Sequence, residues 1–112
     1  MFDDPPYSNV INIAQFLIAI FAFFQGAMID AGVLPALLTL ATDGPYNTAE
    51  VSRESARILA NLSSRMAARV IEVLGPRVAK NWMATVDCLV DERLKLHACR
   101  AKGYLQQEVT TV

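Results

Sequence analysis

The spacing of apolar residues changes along the chain, and each change predicts an element. Residues 10–24 (Val-Ile-Asn-Ile-Ala-Gln-Phe-Leu-Ile-Ala-Ile-Phe-Ala-Phe-Phe) are apolar nearly all round. That pattern predicts a helix that is either fully buried or in a bilayer. From Gln25 to Leu40 the chain reads as a short helix, a sharp turn at Gly32, and a second helix with Pro35 in its first turn. Glycine accepts the positive φ such a turn needs, and a first-turn proline lacks only an N–H that would be unpaired there anyway. After the Asp43-Gly44-Pro45 turn, Asn47 or Thr48 is placed to cap a longer helix, with Glu50 three residues after Asn47 as in a capping box. Val51, Ser55, Ile58, Leu59 and Leu62 then share one face at steps of three and four, with Arg53, Glu54 and Arg57 outside it.

A second run of the same kind follows. Met66, Ala67, Val70, Ile71 and Leu74 form the stripe of a short helix, and Gly75-Pro76 turns and restarts the chain. Val78, Ala79, Trp82, Met83, Val86 and Leu89 predict a helix with a wide apolar face, Trp82 being a core residue. Asp91 is placed to cap a last helix whose Leu94, Ala98, Ala101 and Leu105 face inward, and the polar, β-branched tail after about Gln107 reads as frayed. Gly75 follows Gly32 by 43 residues, and the same offset pairs Thr48 with Asp91, Leu40 with Met83 and Leu62 with Leu105. A period of 43 lies in the roughly 40–47 range of helical solenoids.

Composition narrows the options. The 112 residues suffice for one small domain, and the 54% apolar content argues for a packed core. Net charge is −1, but residues 1–45 hold Asp3, Asp4, Asp30 and Asp43 and no Lys or Arg, while every basic residue lies from Arg53 onward. The basic residues of that later part read as a solvated face, and the balance gives no case for nucleic acid. Cys88 and Cys99, with His97 the one histidine, do not make a zinc set, and the cysteines read as reduced core thiols. The acidic N-terminus lacks the basic region of a secretory signal and the arginines of a transit peptide. The expectation is an intracellular chain, cytoplasmic or organellar, a mitochondrial complex included.

These residues resemble the armadillo (β-catenin-like) repeat family over about residues 25–105. Met28-Ile29-Asp30-Ala31-Gly32-Val33-Leu34-Pro35-Ala36-Leu37-Leu38-Thr39-Leu40 looks like the first and second helices of such a repeat. Val51-Ser52-Arg53-Glu54-Ser55-Ala56-Arg57-Ile58-Leu59-Ala60-Asn61-Leu62 looks like its third helix, with the family's asparagine at Asn61. The second repeat matches in period and pattern, but Tyr104 stands where that asparagine would be. The resemblance implies an all-α fold, a right-handed solenoid of about two three-helix repeats preceded by a hydrophobic helix. Its segments are an irregular stretch 1–9, a helix 10–28, repeat one about 25–64, repeat two about 65–107, and a tail 108–112. It also implies a concave partner-binding face lined by third helices, which carries over to Arg57, Asn61, Arg93, His97, Arg100 and Tyr104.

About two repeats and a fragment are few for a solenoid, whose units bury their apolar faces only against neighbours. The expectation is that Phe16, Leu17, Ile20, Phe21, Phe23 and Phe24 are covered by another molecule, because soluble monomers avoid such patches. No residue is assigned to catalysis, a cofactor or a metal: His97 has no evident nucleophile beside it, Asp91 and Glu92 do not converge across a site, and no phosphate loop appears. The reading is therefore a non-catalytic scaffold subunit of a multiprotein complex. Two alternatives stand beside it: a peptide- or cargo-binding adaptor using the concave face, and a small membrane-associated subunit with residues 10–29 in the bilayer.

Overall fold

The structure, a computed structural model, describes residues 13, 16, 19–20, 23–42 and 48–111. The expected turn at 43–45, the Asn47 cap, the segment 1–9, and Leu17 and Phe21 of the apolar helix lie outside the described residues. Among the described residues the chain is all-helical, with no strand. It divides into an N-terminal part, residues 1–31, and a main part, residues 32–112.

In the N-terminal part the described positions 13, 16, 19 and 20 are helical, and a continuous stretch, α1, spans Phe23–Asp30. Its last turn closes with the Ala31 amide donating to the Ala27 carbonyl at 2.9 Å. Ile29 is buried, while Ile13, Phe16, Phe23 and Phe24 are exposed. The rings of Phe23 and Phe24 meet edge to face at 5.9 Å.

The main part begins at Gly32, whose φ of +83° is a left-handed value that glycine adopts without Cβ strain. Helix α2 is Leu34–Leu40, with Pro35 in its first turn and Leu34, Leu37 and Leu38 buried. Helix α3, Ala49–Leu74, starts at Thr48, whose side chain accepts the Val51 amide at 3.2 Å. Met66 breaks the helical geometry of α3, with φ −133° and ψ 39°. The segment after Met66 is thus the short helix expected from its own apolar stripe, joined to the preceding one across a kink.

Gly75, with φ +85°, ends α3 and opens α4, Pro76–Val86, with the proline at its first position. Helix α5, Glu92–Thr111, starts at Asp91, whose carboxylate accepts the Leu94 amide at 2.9 Å. It continues to Thr111 instead of fraying after Gln107.

The 43-residue offset is visible in the backbone: Gly32 and Gly75 share positive φ, and Thr48 and Asp91 are both capping side chains. Leu34, Leu59, Leu62, Val70, Val86, Leu94 and Leu105 are fully buried or nearly so. Each such side chain stabilises the fold by roughly 1.5–3 kcal/mol. The pairing of α3 with α5 is the most extensive, and α2 also rests on α3. Small buried residues on α3 (Ser55, Ala56, Ala60, Ser63) and α5 (Ala98, Ala101) suit close helix approach.

Two hydrogen bonds tie the turns down. The Trp82 indole donates to the Ala41 carbonyl at 3.3 Å in a buried setting. The Ser52 hydroxyl donates to the Thr42 carbonyl at 3.1 Å.

Several expected positions differ. Val51 and Val78 are exposed, because each lies in the first turn of its helix, at the edge of the stripe. Leu89 is buried as expected, but in the turn after α4 rather than in the helix. Cys88 and Cys99 are free thiols, yet exposed rather than core: Cys88 falls in that same turn, and Cys99 points away from the Ala98–Ala101 face. Among the described residues no single helix is long and apolar enough to cross a membrane. The pair Phe23–Asp30 and Leu34–Leu40, broken at 31–33, passes that test together by length and composition.

Candidate functional site

The helical spacing that buries Ser55, Leu59 and Leu62 turns Glu50, Arg53, Glu54 and Arg57 to another face of α3. On α5 the burial of Leu94, Ala98 and Ala101 does the same for Arg93, His97 and Arg100. The two faces meet in a shallow groove of about 440 Å³ lined by Glu50, Arg53, Glu54, Arg93 and His97.

Arg53 holds the α5 end of this groove. Its Nε donates to Asp91 Oδ1 at 3.0 Å and Oδ2 at 3.1 Å, and its Nη2 donates to Oδ2 at 2.6 Å. Such a fork-on-carboxylate pair is the strongest geometry open to these groups. The Arg53 hydrogen bonds, and after them the Leu94 amide, hold the Asp91 carboxyl well below the usual carboxylate range. One turn on, Arg57 donates to Glu54 through Nε at 2.8 Å and Nη2 at 2.7 Å, which lowers the Glu54 pKa.

His97 is half-buried beside this pair, and its Nδ1 lies 3.4 Å from Arg100 Nη1. Burial first, then the positive charges of Arg100 and Arg57, push the imidazole below its ordinary pKa, while Glu54 pulls the other way. The groove therefore mixes acids with bases that are partly committed to one another. Its lining offers charged and polar contacts to a partner and holds no Ser, Thr, Cys or Lys nucleophile.

Of the residues expected on the concave face, Arg93 and His97 line this groove, while Arg57 is paired with its Glu54 and Arg100 lies beside its His97. Asn61 is half-buried two helical turns beyond Arg53, and Tyr104 is exposed beyond Arg100; neither lines the groove. The sequence alone does not mark Glu50, Arg53, Glu54 and Asp91 as site residues. The signal was present in part, since Arg53, Arg57 and Asn61 recur every fourth residue and so share a face. The Asp91 contact is tertiary and has no sequence signature.

The second candidate surface is the apolar N-terminal stretch that includes α1. Phe16, Phe23 and Phe24 are 65%, 73% and 57% exposed, and Ile20 is half-buried. Among the described residues no group of three or more His, Cys, Asp or Glu is arranged to hold a metal ion. Comparison with protein-family models, with curated proteins and with solved structures gave no match.

Proposed function

We propose that this chain is a non-catalytic, armadillo-type structural subunit that packs into a larger protein assembly by helix–helix burial. The observation that carries the reading is the exposure of Phe16, Phe23 and Phe24, described positions of a stretch whose sequence is apolar nearly all round. Soluble monomers seldom leave large apolar patches uncovered, and covering each ring is worth roughly 1.5–3 kcal/mol. The solenoid reading draws support from the two positive-φ glycines and two capped helices, each pair 43 residues apart.

The experiment is capture of the tagged chain from its native source, followed by mass spectrometry of the intact assembly. Wild type co-purifies with other protein subunits, and Phe23→Asp/Phe24→Asp loses them while circular dichroism shows its helices kept. Normal co-purification of the double variant overturns the reading. Fractionation that needs detergent and resists carbonate would move the aromatic helix into lipid instead, in keeping with the apolar helix pair at 23–40.

The adaptor reading is favoured by a different observation, the α3–α5 groove lined in part by Arg93 and His97, with Arg100 beside His97. Arg93→Glu/Arg100→Glu separates the two: it abolishes partner capture by an adaptor and leaves a subunit held by α1 in place.

A further inference from the structure

Helix α3 is buried on two sides and α5 on one. Ser55 and Leu62 of α3 correspond, 43 residues on, to Ala98 and Leu105 of α5, and all four are buried. Helix α3 also buries a second strip, Ser52, Ala56, Leu59, Ala60 and Ser63. Arg53 shares a side of α3 with Ala56 and Ala60, at steps of three and four, and it binds Asp91 at the start of α5. The second strip is therefore turned toward α5, the helix that packs most extensively on α3.

The positions of α5 that match this second strip are Lys95, Cys99, Lys102, Gly103 and Gln106. None of these five is buried. No atom lies within 4 Å of where a Cβ on Gly103 would sit, whereas Ala60 at the matching place is wholly buried. The chemistry changes with the exposure: Lys102 stands for Leu59, Lys95 for Ser52 and Gln106 for Ser63. Lys102 Nζ reaches Asp87 Oδ2 at 3.3 Å, and Lys95 Nζ reaches the Asp87 carbonyl at 3.4 Å, so one residue before α5 draws both ammonium groups. Covering this strip with apolar side chains of another protein would strip water from two ammonium groups and a carboxamide, which apolar contact does not offset. A stack of helical repeats needs a polar outer face of this kind where it stops.

We infer that this strip of α5 is a closed face of the helix stack, and that partner subunits attach through the aromatic N-terminal stretch alone. The inference rests on the reading of that stretch as a burial surface and adds a direction to it. One surface of the chain takes protein, and the α5 strip stays in water.

Thiol alkylation of the intact native assembly, read peptide by peptide by mass spectrometry, tests this, because Cys99 lies in the strip and is exposed. Cys99 reacts in the assembly as fast as in the isolated chain. Protection of Cys99 on assembly overturns the inference.

A bulky adduct gives a second measurement. In Cys88→Ser, a maleimide-linked polyethylene glycol on Cys99 leaves capture of the partner subunits unchanged. In Cys88→Ser/Cys99→Ser/Phe24→Cys, the same adduct at position 24 abolishes capture, while circular dichroism shows the helices of both kept. If the adducts at 99 and at 24 both block capture, the closed face falls and the subunit reading stands. A wild type that captures no subunit, or an adduct at 24 that leaves capture intact, overturns the subunit reading and the inference with it.

Discussion

Arg53 and Asp91, 38 residues apart, are joined by three hydrogen bonds of 2.6–3.1 Å, and the same carboxylate also caps α5. Asp91 therefore serves two elements and Arg53 one. Asp91→Ala lowers the melting temperature more than Arg53→Ala does, and more than Thr48→Ala, a cap deletion worth about 1 kcal/mol. Asp91→Asn falls close to Arg53→Ala, because asparagine caps a helix but carries no charge. Thermal melts followed by circular dichroism rank the four variants. Equal losses for Asp91→Ala and Asp91→Asn would show that the cap contributes nothing.

The same carboxylate sets the acid limb of stability. Its pKa is lower folded than unfolded, so its contribution is complete above the ordinary carboxylate value of about 4 and drains away as pH falls below it. Melting temperature should decline more gently below about pH 4 in Asp91→Asn than in wild type. Parallel acid limbs would show that other carboxylates set the decline.

His97 acts in a higher window. Its folded pKa is depressed by burial and by Arg100 and Arg57, so the folded state takes up a proton less readily than the unfolded chain. Stability is complete above the ordinary histidine value near 6.5 and falls as pH drops through and below it. His97→Gln should flatten the melting temperature between about pH 7 and pH 5. An unchanged slope would mean that groups other than this imidazole set it.

Gly75 and Gly103 give opposite signs for one substitution. Gly75 has φ +85° and ψ 145°, a region in which a Cβ is strained, although no atom lies within 4 Å of where it would sit. Gly75→Ala should cost about 1–3 kcal/mol. Gly103 is interior to α5 and equally open around its Cβ position, so Gly103→Ala should stabilise by roughly 0.5–1 kcal/mol. Urea unfolding of both variants checks the pair, and a destabilised Gly103→Ala would show that something approaches that face of α5.

Features governed by local chemistry were legible in the sequence. Gly32, Gly75, Pro35, Pro76, Thr48 and Asp91 each do in the structure what a turn, first-turn or cap residue does, since those roles depend on a few neighbours along the chain. The α5 stripe of Leu94, Ala98, Ala101 and Leu105 is buried throughout, because four positions at helical spacing define one face. Contacts between distant residues were not legible. Arg53 read as a solvated arginine until its partner came from 38 positions away, and the groove around His97 exists only because α5 lies along α3. Val51 and Val78 show the limit of periodicity, which fixes an angle around the helix but not whether another element reaches that turn.

The indole N–H of Trp82 reaches the carbonyl at the C-terminal end of α2, joining segments 41 residues apart through a buried bond. Neither segment can then come loose without leaving a buried donor or acceptor unpaired, so the main part should lose its order in one step. Because the chain has a single tryptophan and it sits at this seam, one fluorescence trace follows both segments at once.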